Sequence, residues 1–124
     1  MASGEIVTER TIFKIFRPSE WQAFADSGAF LGSPDDQRDG FIHFSYAEQV
    51  PGTLERHFAS DEVIVLAAFD ETAFGASLKA ERSRGGGMFP HIYGTVTKDG
   101  PLAWARLRRG PRGFTLPEWC GGKE

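Results

Sequence analysis

Val63-Ile64-Val65-Leu66-Ala67-Ala68-Phe69 is an unbroken apolar run, preceded by the turn-forming Ser60-Asp61-Glu62 and followed by Asp70. Its length and β-branched start suit a strand rather than a helix, and apolar residues at every position require both faces to be covered. The run therefore predicts the central strand of a sheet. Working outward, Thr11-Ile12-Phe13-Lys14-Ile15-Phe16 is β-branched and aromatic and reads as a second strand. Alternation puts Ile12, Lys14 and Phe16 on one face and Phe13 and Ile15 on the other. Residues 78–82 read as a weaker strand and residues 102–107, with Trp104, as a further one.

Two helices are expected between these strands. Pro18-Ser19-Glu20-Trp21-Gln22 opens the first: Ser19 to Gln22 fits a capping box, and Pro18 equally fits the first helical position. Trp21, Phe24 and Ala25 form its apolar stripe and Gly28 can end it. Ser45-Tyr46-Ala47-Glu48 is a second capping box, with Ala47, Val50, Leu54 and Phe58 inward and a kink or restart at Pro51. Residues 32–40, rich in Gly, Ser, Pro and Asp, read as a loop. Residues 70–75 read as one helical turn. Strands outnumber helices and the helices lie early, so the chain is an α+β domain. It is expected to be a single domain over residues 1–124, with an ordered core at about 11–109 and loose termini.

Composition narrows the setting. The 124 residues are 40% hydrophobic and include eleven Phe, enough for a core. No stretch approaches the roughly 20 apolar residues of a membrane helix, and Met-Ala-Ser-Gly-Glu lacks the basic-then-apolar signal pattern. Cys120 is the only cysteine, which rules out an intrachain disulfide and suits a reducing, cytoplasmic setting. Beside Gly121-Gly122, it reads as an incidental thiol of a loose tail. Residues 1–78 carry thirteen acids against five Lys and Arg, whereas residues 79–124 carry four acids against nine. The basic part can attract a phosphate-bearing ligand, or is a solvated surface with a sign bias. A net charge of −3 does not favour bulk nucleic-acid binding.

The chemistry concentrates in Gly40-Phe41-Ile42-His43-Phe44-Ser45 and Phe89-Pro90-His91-Ile92-Tyr93-Gly94. On an extended strand, His43 and Ser45 share a face and His91 and Tyr93 share another. Two such strands side by side would line one pocket floor. Ser45 is read first as a helix N-cap, with pocket duty compatible. His43 is either a hydrogen-bonded structural histidine or a ligand contact at a strand end. Tyr93 can stack on a planar ring. Glu81 shares a face with Lys79 and forms an ion pair, or else stabilises a developing sugar cation. Lys14 snorkels to the surface or contacts a phosphate or carboxylate. Arg82 or Arg84 can neutralise phosphate. Gly85-Gly86-Gly87 lacks the context of a phosphate loop and reads as a flap bordering the site. His43, His57 and His91 lack close ligand spacing, so no metal site is expected.

Lys14-Ile15 with Trp21, Asp39 to Ser45, Glu48-Gln49-Val50, Arg56-His57-Phe58, Glu81 and Phe89 to Gly94 together resemble the bacterial domain of unknown function 952 family. The resemblance runs over about residues 11–107. It implies a fold similar to ADP-ribosyltransferases and RNA 2′-phosphotransferases, with a cleft between two small sheets that handles NAD or an ADP-ribosylated phosphate. His43 and Ser45 resemble the histidine motif of the phosphotransferases; Lys14 stands where true transferases carry a first-strand His or Arg. On this basis His43, His91 and Glu81 are the candidate catalytic residues, and Lys14, Ser45, Arg82 and Tyr93 the candidate ligand contacts. NAD is then a substrate or ligand. The alternative is a non-catalytic module that binds a small molecule or a protein.

Overall fold

The computed structural model describes residues 10–83 and 86–120. Its elements run β1 (Thr11–Phe16), α1 (Pro18–Ser27), β2 (Ala29–Phe30), α2 (Pro34–Asp39), β3 (Ile42–His43), β4 (Ser45–Tyr46), α3 (Val50–His57), β5 (Val63–Asp70), β6 (Leu78–Arg82), β7 (Met88–Ile92), β8 (Val96–Thr97) and β9 (Ala103–Arg108). Tight 3-10 turns occupy Ala47–Gln49, Glu71–Ser77 and Glu118–Cys120. The architecture is α+β, with sheets of order β4-β1-β5-β9, β3-β7-β6 and β2-β8. Among the described residues no helix is long and apolar enough to cross a membrane.

The run at 63–69 lies in β5, between β1 and β9, as its two apolar faces require. In the antiparallel β1–β5 pair, Ile12 opposes Phe69 and Phe16 opposes Val65. Alternation then divides the core. Ile12, Phe16, Val65, Ala67 and Phe69 enter one cluster; Phe13, Ile15, Ile64, Leu66 and Ala68 enter the other. The first is covered by α1, whose Phe24 stacks on Phe16 with centroids 5.7 Å apart. The second is covered by α3 through Val50, Leu54 and Phe58. The inward positions expected for that helix are therefore correct.

Helix starts differ in detail from the expected boxes. Pro18 is the first residue of α1, and the Arg17 N–H donates to Glu20 Oε1 at 2.9 Å, so Ser19 is inside the helix. Before α3, the Tyr46 N–H donates to Gln49 Oε1 at 2.9 Å, which displaces Ser45 and Glu48 from the capping role. Pro51 does mark a restart, from the 3-10 turn into α3. Residues 32–40 are not a plain loop. Ser33 Oγ accepts from the Asp36 N–H at 3.2 Å, and the Ser33 N–H donates to Asp36 Oδ2 at 2.8 Å. This reciprocal box, with Asp in place of the usual Glu or Gln, starts α2.

The tail also differs from expectation. Phe114, Leu116, Trp119 and Cys120 pack on the second core cluster, and Trp119 stacks on Phe13. Cys120 is 2% exposed, and burial pushes its thiol up to about 12. It is a packed core thiol rather than one on a loose end. Residues 1–9 and 121–124, expected to be loose, Arg84, expected as an alternative phosphate contact, and Gly85 of the expected flap lie outside the described residues.

Gly32 has φ +118, and a Cβ there would lie 2.8 Å from Asp36 Cβ. Gly32→Ala is expected to lower stability by about 1–3 kcal/mol. A urea titration should show an earlier midpoint at unchanged slope; a coincident curve would mean that the 31–33 backbone shifts without cost.

Candidate functional site

β3 and β7 pair antiparallel, with His43 opposite His91 and Ile42 opposite Ile92. Opposed residues of such a pair point to one face. Both isoleucines enter the first core cluster, and both imidazoles take the other side, with ring centroids 5.5 Å apart. In the β6–β7 pair Lys79 opposes His91 and Glu81 opposes Phe89, which puts Glu81 on the imidazole face. The imidazoles border a cleft of about 940 Å³. Its walls come from β1, α2, α3 and the β6–β7 pair, and include Lys14, Asp36, Phe41, His43, Ser45, Arg82 and His91.

His91 is 4% exposed and stacks on Phe41, with centroids 4.0 Å apart and planes 22° apart. Its Nδ1 lies 2.8 Å from Glu81 Oε1, and the Tyr93 hydroxyl donates to the same oxygen at 2.7 Å. The Tyr93 bond first, then the His91 bond, hold the Glu81 carboxyl below its ordinary range, and the same contact raises the Tyr93 hydroxyl. A neutral imidazole that donates from Nδ1 keeps Nε2 as its acceptor. Glu81 and Tyr93 do not themselves line the cleft. The expected Lys79–Glu81 ion pair is replaced by this arrangement, and the Lys79 ammonium sits over the Tyr93 ring at 5.1 Å.

His43 is held differently. Its Nδ1 lies 2.6 Å from Asp36 Oδ1 and its Nε2 lies 3.0 Å from Asp39 Oδ2. Asp36 is 2% exposed and also accepts from the His43 and Ser33 N–H groups and from Lys14 Nζ, the last at 3.1 Å. Burial alone would raise the Asp36 carboxyl, but the His43 bond, the Lys14 charge and the two backbone donors hold it far below the usual range. Among the described residues Lys14 Nζ donates to Asp36 and to the His43 carbonyl oxygen, the latter at 3.0 Å, and lies 5.6 Å from the Phe30 ring centre. Burial therefore dominates there and lowers the ammonium, with Asp36 offsetting it in part.

Of the predicted residues, Lys14, His43, Ser45, Arg82 and His91 line the cleft, while Glu81 and Tyr93 stand outside its wall. His43 and His91 share the cleft as expected. Lys14 does not snorkel: it is 6% exposed and tied into the protein. Ser45 is buried in β4, where its hydroxyl lies 3.1 Å from Thr53 Oγ1. Arg82 is exposed, lines the cleft and donates to the Gly86 carbonyl at 2.8 Å. Asp36, Asp39 and Phe41 were missed as site residues. Only the Ser33-x-x-Asp36 spacing could have flagged one of them. Among the described residues no group of three or more His, Cys, Asp or Glu is placed to hold a metal ion.

A family model described as "Protein of unknown function (DUF952)" matches residues 15–102. The crystal structure of protein CC0527 from Caulobacter crescentus is similar, with 36% identity and a TM-score of 0.83 over 90% of this chain and 98% of that one. The solution NMR structure of CC0527 gives 37% identity and a TM-score of 0.76, covering 85% and 90% respectively. No curated protein matches the chain.

Proposed function

We propose that this chain, which belongs to the DUF952 family of proteins of unknown function, binds NAD or another ADP-ribose- or phosphate-bearing molecule in the His43/His91 cleft and uses His91 as a proton donor and acceptor. The observation that carries this reading is the Glu81–His91 contact of 2.8 Å, itself held by Tyr93, beside a cavity of nucleotide size. A carboxylate on Nδ1 selects the tautomer with a basic Nε2 and stabilises the imidazolium as it forms. Glu81 is then a positioning residue rather than the stabiliser of a sugar cation, because it stands outside the cleft wall. Arg82, which among the described residues hydrogen-bonds a neutral carbonyl, supplies positive charge for a phosphate. His43, fixed between Asp36 and Asp39, offers a rigid wall rather than a mobile proton. The resemblance to NAD-handling transferases motivates the choice of probes.

A second reading, a binding module without turnover, has its own support. Lys14, His43 and Ser45 all have side-chain polar atoms engaged by protein partners, so these three predicted contacts are satisfied without a ligand. Calorimetry and thermal shift with NAD, ADP-ribose and a 2′-phosphorylated RNA end test both. At least one probe should bind, and Arg82→Ala should weaken it about tenfold, or about 1.4 kcal/mol. Product formation then separates enzyme from module. Silence with all three probes would remove the proposal.

A further inference from the structure

A smaller recess of about 290 Å³ adjoins the cleft. The two spaces share four lining residues, Thr53, Arg56, Ser83 and Phe89. Five polar side chains line the recess: Glu48, Gln49, Thr53, Arg56 and Ser83. Thr53 Oγ1 meets Ser45, while Gln49 accepts from the Tyr46 N–H and donates to the Met88 carbonyl. The other three make no side-chain hydrogen bond or ion pair among the described residues. Ser83 Oγ is the one buried side-chain polar atom among the described residues that has no hydrogen-bond partner. Arg56 is exposed, faces both spaces and has no ion pair among the described residues. The one acid of the recess, Glu48, is exposed and lines only the smaller space.

A buried hydroxyl without a partner costs stability in the free protein. The Ser83 backbone is pinned, since its N–H donates to the Gly87 carbonyl and its own carbonyl accepts from the Gly86 N–H, both at 2.9 Å. Only the side chain is left to adjust, and a serine reaches other staggered positions by rotation about one bond. Arg56 and Ser83 line the same two spaces, and a guanidinium with a hydroxyl is a donor set that suits a phosphoryl group, with a planar fork on two oxygens and an O–H on a third. We propose that Arg56 and Ser83 form a second anion subsite, which takes the distal phosphoryl group of a nucleoside diphosphate whose other end lies at His91. This rests on the reading of the main cleft as a nucleotide site and specifies the ligand class further: a diphosphate rather than a monophosphate.

AMP and ADP, titrated by calorimetry into the full chain and into Arg56→Gln and Ser83→Ala variants, test the subsite. The unaltered protein should prefer ADP by at least about tenfold. Each variant should bring that ratio close to one while AMP affinity stays the same. Ser83→Ala should also raise the melting temperature of the ligand-free protein, because it removes the unpaired hydroxyl; a structural serine would show the opposite sign. Equal binding of AMP and ADP by the unaltered protein, or an ADP preference that survives both substitutions, overturns the subsite and leaves the main cleft standing. Binding of neither nucleotide overturns the subsite, and the main cleft is then judged by NAD, ADP-ribose and the RNA end alone.

Discussion

Asp36→Ala should destabilise the protein by about 3–5 kcal/mol, the cost of breaking one side of a buried ion pair. The carboxylate receives Lys14 Nζ, His43 Nδ1 and the N–H groups of His43 and Ser33. Its loss strands a lysine that is 6% exposed, removes the reciprocal box that starts α2 and leaves His43 Nδ1 without its carboxylate. Lys14→Met alone should cost less, because Asp36 keeps its other donors. The Asp36→Ala, Lys14→Met double variant should recover part of the loss, since an apolar replacement of a whole pair is often neutral. Urea denaturation of the four proteins completes the cycle. A single-variant loss below about 1 kcal/mol would mean that solvent reaches the pair and screens it.

The same group makes stability depend on acid. The folded Asp36 carboxyl titrates well below its unfolded value of about 3.9. Its contribution is therefore complete above about pH 4 and is lost as pH falls through the depressed folded value, where the unfolded chain binds the extra proton. Asp36→Ala should flatten the unfolding midpoint in that acid window. Lys14 acts at the other end. Its folded ammonium is lowered from 10.5, so deprotonation relieves the cost of burial and stability from this group rises with pH up to about 10.4.

The second large effect concerns chemistry. With His91→Ala, turnover of the NAD or RNA-end probe should fall about 10²–10⁴-fold, the usual contribution of a positioned acid or base. The ring also stacks on Phe41, so the folded state of the variant is checked by its unfolding midpoint. Tyr93→Phe gives a readout that lost packing would not. It removes the hydroxyl that does most to lower the Glu81 carboxyl. Glu81 should then titrate higher, and the acid limb of the kcat/KM profile should move to higher pH. An unmoved acid limb would exclude the Glu81–His91 relay, and full activity in His91→Ala would exclude His91 as the proton carrier.

How much was legible in advance follows from the range of each interaction. Long, strongly patterned segments announce themselves: the run at 63–69, the alternation at 11–16 and the stripe of Val50, Leu54 and Phe58 are local signals whose burial only one arrangement satisfies. β2 and β8 are two residues each and are created by the pairing of Phe30 with Val96, far apart in the chain, so they carry no local pattern. The start of α2 was obscured because Asp, rather than Glu or Gln, closes its box. In the site, shared faces were readable from period two, but partners were not. Ser45 shares a cleft wall with His43 yet belongs to the other sheet, because the chain crosses between sheets at Phe44.

From its residues alone, this chain determined an α+β class, a two-faced central strand and two histidine-bearing strands. Those depend on steric alternation and on the cost of leaving hydrocarbon in water. Tertiary structure alone decided how each imidazole is held. Asp36 and Asp39 reach His43 from α2 and immobilise it, while Glu81 and Tyr93 orient His91. Hydrogen-bond partners are set by distances of a few ångströms between segments that only the finished fold brings together, and no pattern along the chain encodes those distances.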